Sequence, residues 1–141
     1  MVADWAIVPT ELLLTAGTQT WTDVSSALTR ATSDLLAGEL TSFTIARPQS
    51  GQRIDANRLN DGSIRLAASG NDSLVGGNRL TVRDERAVIA VGFSVASASW
   101  GTFYWDWTAP VAPDLVASGI IRTMRDIYKS APADLELSVT L

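Results

Sequence analysis

The chain contains no cysteine and no histidine. Without cysteine there is no disulfide framework, no thiolate nucleophile, no Cys-ligated zinc and no iron–sulfur cluster. Without histidine the commonest general base and the commonest transition-metal ligand are both missing. Ser-His-Asp and Cys-His schemes fall together. Cations are also scarce. Eleven Lys and Arg face fifteen Asp and Glu, for a net charge of −4. They are scattered along the chain, and nucleic-acid binding needs a basic face, so no nucleic-acid partner is expected. No apolar run approaches the ~20 residues of a membrane-spanning helix. The segment Met1 to Val8 carries Asp4 and lacks a basic stretch, so it does not read as a signal peptide. A cytoplasmic protein without a membrane partner is the expectation.

What is present fits one folded unit. The 141 residues are 46% hydrophobic, enough for a core without staples. We expect a single domain over residues 1–141, with 1–20 as an extension that forms either a short strand or a short helix. Thr20 and Asp23 have capping-box spacing. Val24, Ala27, Leu28, Ala31 and Leu35 then recur on one face of a helix predicted over about Trp21 to Ala37, with Gly38 as its stop. Phe43 and Ile45, Ile54 and Ala56, and Ile64, Leu66 and Ala68 alternate with polar neighbours. They predict three strands, and Asn60-Asp61-Gly62 is the strongest turn signal between them. A meander with one apolar face needs a cover, and the first helix is the nearest candidate. Gly70 to Asn78 reads as a loop whose glycines fit no phosphate-binding motif.

Thr81 and Asp84 repeat the capping-box spacing. The run that follows reads as a helix to about Gly92 or as a buried strand, and the cap favours the helix. Ser94 to Ser99 reads as a loop. Phe103, Trp105 and Trp107 share one face of an aromatic strand, with Tyr104 and Asp106 on the other. Pro113 and Asp114 suit a helix start, and Val116, Ile120, Met124 and Ile127 form its stripe toward Lys129. Leu135, Leu137, Val139 and Leu141 alternate in a last strand or extended tail. The class is α+β: an antiparallel sheet with a helix first, a three-strand meander, a middle helix, an aromatic strand and a C-terminal helix.

This order resembles the type III secretion chaperone-like fold, and within it the YbjN and actinobacterial TY-Chap families. The resemblance rests on Leu80-Thr81 opening a helix and on Val91-Gly92-Phe93, where phenylalanine replaces the usual tryptophan. It rests further on the Trp105-Asp106-Trp107 strand followed by Pro110, and on the helix ending Arg122-Thr123-Met124-Arg125-Asp126-Ile127-Tyr128. It covers about residues 21–135. The family's acidic residue in the meander has no clear counterpart, and the first twenty residues are extra. The resemblance implies a chaperone-like, partner-binding role, often in dimers, with no chemistry to carry over.

Four groups are candidate sites. The aromatic strand offers Tyr104, Asp106 and Trp107, with Trp100 nearby, as a docking edge for a peptide or second subunit. The plainer reading puts Phe103, Trp105 and Trp107 in the core. Arg53 and Arg65 on the meander, with Arg83 and Arg86 on the second helix, could hold an acidic peptide or form a solvated face. Asp55 with Asp61, or Asp84 with Glu85, offer carboxylates, but no motif places them across a cleft. Asn71-Asp72-Ser73 has too few ligands for calcium. Ile120, Met124 and Ile127 could form a dimer interface, or pack on their own sheet. The expected function is a non-catalytic chaperone-like or adaptor domain that binds a protein or peptide as a homodimer, without cofactor or metal. The alternative is a small-molecule or carbohydrate-binding module that stacks ligands on Trp100, Tyr104 or Trp107.

Overall fold

A computed structural model describes residues 10–15, 17–71, 74, 76–95 and 102–141. The capping box forms at the first helix, α1 (Trp21–Leu36). The Thr20 N–H donates to Asp23 Oδ2 at 2.8 Å, and the Asp23 N–H donates back to Thr20 Oγ1 at 3.3 Å. Two otherwise orphaned donors are thereby satisfied. Val24, Leu28, Ala31 and Leu35 are buried along one stripe. A short strand, β1 (Thr10–Leu14), precedes α1, so the first twenty residues include a strand.

The meander forms as β2 (Ser42–Arg47), β3 (Gln52–Arg58) and β4 (Ile64–Ser69), paired antiparallel in sequence. The turn at Asn60-Asp61-Gly62 is closed by Leu59 N–H donating to Ser63 O, and by Ser63 N–H donating to Asp61 Oδ1 at 2.9 Å. The ambiguous run is a helix, α2 (Val82–Val91), with the Thr81–Asp84 capping box intact. Local capping decided between helix and strand there. The stretch expected as a loop contributes a two-residue strand, β5 (Ser94–Val95). It pairs with the aromatic strand β6 (Thr102–Trp107). The last helix, α3 (Pro113–Arg122), runs on into a π-helical segment over Thr123–Ile127. The tail is a full strand, β7 (Glu136–Thr140).

The seven strands among the described residues join one sheet in the order β1-β7-β2-β3-β4-β6-β5, with every pair antiparallel. The C-terminal strand is thus inserted between β1 and β2. One face of the sheet carries Phe43, Ile45, Ile54, Ile64, Leu66, Phe103, Leu137 and Val139, all buried. These side chains and the apolar stripes of the three helices form a single core. Each fully buried large side chain contributes roughly 1.5–3 kcal/mol.

A buried polar tie fastens the end of α3 to the meander. Gln52 Nε2 donates to the Tyr128 carbonyl at 2.9 Å, and Ser130 Oγ donates to Gln52 Oε1 at 2.9 Å. The Tyr128 hydroxyl donates to the Ser69 carbonyl at 2.5 Å. Each buried polar atom in this set has a partner, which is the condition for burying it at all.

Candidate partner-binding face

Side chains alternate across the sheet, so the residues between the core positions occupy its other face. That face is clothed by no helix among the described residues, and its composition suits water. Pairing sets Ser138, Thr44, Asp55, Ala67 and Tyr104 in one row, and Ser42, Asn57, Arg65 and Asp106 in the next. Short side chains dominate these two rows, and their charges are paired within the chain. Arg65 grips Asp106 with two bonds, Nε to Oδ1 at 2.7 Å and Nη2 to Oδ2 at 2.9 Å. Its guanidinium also lies 5.3 Å from the centre of the Tyr104 ring. Arg53 grips Asp55 through Nη2 at 2.7 Å and Nε at 3.2 Å, and Thr44 Oγ1 donates to the same carboxylate. A depression of about 250 Å³ lies beside this pair, lined by Arg53, Asp55, Ala67, Ser69 and Thr102.

The electrostatics follow from the bidentate geometry. Hydrogen bonds from Arg65 hold the Asp106 carboxyl below the usual carboxylate range, and the same bonds raise Arg65. Both partners are about half exposed, so the pair orders the face more than it stabilises the fold.

Of the residues singled out in the sequence, Tyr104, Asp106 and Arg65 come together here. Trp107 does not. It lies on the helix-facing side with Trp105, their rings 4.5 Å apart, and Phe93 meets Trp105 edge-on at 5.2 Å. Among the described residues, Tyr104 is then the one aromatic ring of β6 on the uncovered face, which gives a tryptophan stacking platform no support there. Trp100 lies outside the described residues. Arg86 is exposed on α2, which packs against the π-helical segment and β5, so it does not join Arg65. The expected dimer stripe needs correction. Ile120 and Met124 are fully enclosed and Ile127 is 8% exposed. The stripe is used up in packing on its own sheet, and no apolar surface of it is left for a second subunit.

Sequence reasoning missed the Gln52–Tyr128–Ser130 tie. Tyr128 was legible only as the end of a helix, since its partners lie 59 and 76 positions away. Among the described residues no three acidic side chains converge as a metal site.

No curated protein and no solved structure matches the chain. A family model does match, over residues 15–140, and it takes in every described helix and all strands but most of β1. The helix, meander, helix, aromatic strand and closing helix, in this order and on one antiparallel sheet, are those of a chain that belongs to the family described as T3SS (YopN, CesT) and YbjN peptide-binding chaperone 3.

Proposed function

We propose that this chain is a non-catalytic chaperone that holds a peptide segment of a protein partner and acts as a homodimer, paired through its uncovered sheet face. Family membership supports the peptide-binding role. The observation that carries the pairing is the one-sided clothing of a seven-stranded sheet. The middle of the uncovered face can be covered without stranding a charge, because Arg53–Asp55 and Arg65–Asp106 are already paired. Its Ser, Thr and Ala side chains lose little rotamer freedom on docking. Tyr104 supplies the aromatic anchor that interfaces favour. Each patch carries both signs of charge, so two copies related by a two-fold axis offer opposite charges to one another. A cytoplasmic site of action is part of this reading.

Light scattering on the purified chain tests it. The expected mass is that of a dimer. Ala67→Arg, placed in the middle of the face, is expected to give a folded monomer. A wild-type monomer across the working concentration range would remove the pairing, and failure to retain any peptide would remove the chaperone role.

A further inference from the structure

On the opposite side of the molecule, away from the uncovered face, α1 and α3 leave a cleft of about 390 Å³ between them. This lies within the range of about 300–1,000 Å³ of ligand-binding sites. One wall is the first turns of α1, with Trp21, Ser25 and Ser26; the other is α3 and its π-helical continuation, with Ser118, Ile121, Arg122 and Arg125. Residues 118, 121, 122 and 125 follow the i, i+3, i+4, i+7 spacing of one helix face. Ile121 is 8% exposed and Trp21 is partly buried, so an apolar floor lies beneath a polar rim.

The charge of this cleft runs against that of the chain. The whole molecule carries −4, yet the lining holds two arginines and no carboxylate. Arg125 bonds the neighbouring Asp126 at 2.8 Å, with both side chains about half exposed, a pair that an incoming carboxylate can displace. Arg122 takes part in no ion pair among the described residues. Guanidinium forks match carboxylates in two-bond geometry. Serine hydroxyls donate and accept, so they suit a peptide backbone of any sequence.

We infer that this cleft is where the chaperone holds its partner, and that the occupant is an acidic peptide segment. Carboxylate side chains reach Arg122 and Arg125, and an intervening apolar side chain rests on Ile121 and Trp21. The inference rests on the peptide-binding reading above and names the class of segment bound. In a dimer paired through the sheet faces, both clefts point outward.

The test is fluorescence anisotropy with a labelled peptide alternating glutamate and leucine, against counterparts carrying glutamine or lysine in place of glutamate. The full chain is compared with Arg122→Gln, Arg125→Gln and the double variant, and with Ser118→Trp, which fills the cleft. All three substituted side chains are exposed. The acidic peptide is expected to bind best, each arginine variant to weaken it about tenfold, and Ser118→Trp to block it. Arg79→Gln, exposed and outside the lining of the cleft, should leave binding unchanged. Equal binding of acidic and glutamine peptides, or full binding by the double variant, overturns the cleft assignment and leaves the chaperone role standing. No binding of any peptide by the wild type would instead count against the chaperone role itself. Competition by inorganic polyphosphate at least as strong as by the unlabelled acidic peptide would make the cleft a general anion site and overturn the inference.

Discussion

The Trp105 indole lies against the backbone of Gly119 so closely that a methyl group there would sit 2.9 Å from its Cζ3 and 3.1 Å from its Cη2. Gly92, at φ +147°, flanks the same ring, and a Cβ on it would overlap the indole. The aromatic strand is therefore seated between two helices at positions that only glycine fills without a shift. Gly119→Ala is expected to destabilise the fold by about 1–2 kcal/mol. The overpacking cost of roughly 1–3 kcal/mol outweighs the gain of about 1 kcal/mol that alanine brings to a helix interior. Urea denaturation followed by tryptophan emission measures the sum. A stabilised variant would show that the ring is free to move away.

Those two glycines mark a limit on what the sequence discloses. Each was legible as a helix stop or as a weak helix position, from its neighbours alone. That both exist to admit Trp105 depends on contacts across distant parts of the chain. The caps at Thr20 and Thr81 were legible because donor and acceptor lie three residues apart. The meander was legible from alternation and one Asp-Gly turn. The place of β7 between β1 and β2 was not, because alternation assigns a strand two faces and no neighbours. The candidate face was half legible. Alternation put Tyr104 and Asp106 on one side of β6, but the Arg65 grip needs the register across β4 and β6. The cleft between α1 and α3 was invisible, since Ser25 and Arg122 meet only after both helices dock.

Acid stability should carry a small contribution from Asp106. Its carboxyl is held below the ordinary range by Arg65. The folded state thus favours the ionised form, and this stabilisation is complete above the unfolded carboxyl range of about 4 and lost as pH falls through the lower folded value. NMR titration of the Asp106 carboxyl carbon should show a midpoint below that of a model peptide, and Arg65→Gln should move it upward. Asp106→Asn should change stability at neutral pH by no more than about 1 kcal/mol, as expected for an exposed pair.

Tyr128 should govern the alkaline limb. Burial raises its phenol above the ordinary range, and its hydroxyl donates to the Ser69 carbonyl. The folded state holds the proton more tightly, so the stabilisation is complete below the unfolded tyrosine value of about 10 and is lost as pH rises above it. Phenolate absorbance assigned to Tyr128 is expected to rise together with the loss of tertiary circular dichroism. Tyr128→Phe should cost about 1–2 kcal/mol, by leaving the buried Ser69 carbonyl without this partner. Unaltered stability would mean that another donor replaces the phenol.

The second helix should be the first to open. It buries Val88 fully and little else, and it leaves Val82 and Ile89 exposed. Its capping box is therefore a large share of what holds it. Thr81→Ala is expected to cost about 1 kcal/mol, read as faster hydrogen exchange across Val82–Val91 with little change over α1. Uniform acceleration in both helices would show that α2 opens only with the whole domain.

Lys129 adopts φ +58°, the left-handed conformation, just after Tyr128, which caps the π-helical segment. A side chain there costs about 1–2 kcal/mol in a left-handed backbone, part of which glycine gives back through its freer unfolded chain. Lys129→Gly should raise the melting temperature by a few degrees, for a gain of up to about 1 kcal/mol.

The insertion of β7 between β1 and β2 sets an order of events during synthesis. Thr41 and Thr140 are bonded across 99 positions of chain, so β2 waits for almost the whole domain to leave the ribosome before it gains its second neighbour. Until then one edge of β2 stays open, and the apolar side chains Phe43 and Ile45 lack their cover from Leu137 and Val139. Long-range pairing of this kind folds slowly and leaves strand edges exposed to other chains meanwhile. A member of a peptide-binding chaperone family must therefore pass through a period in which its own sheet is unguarded.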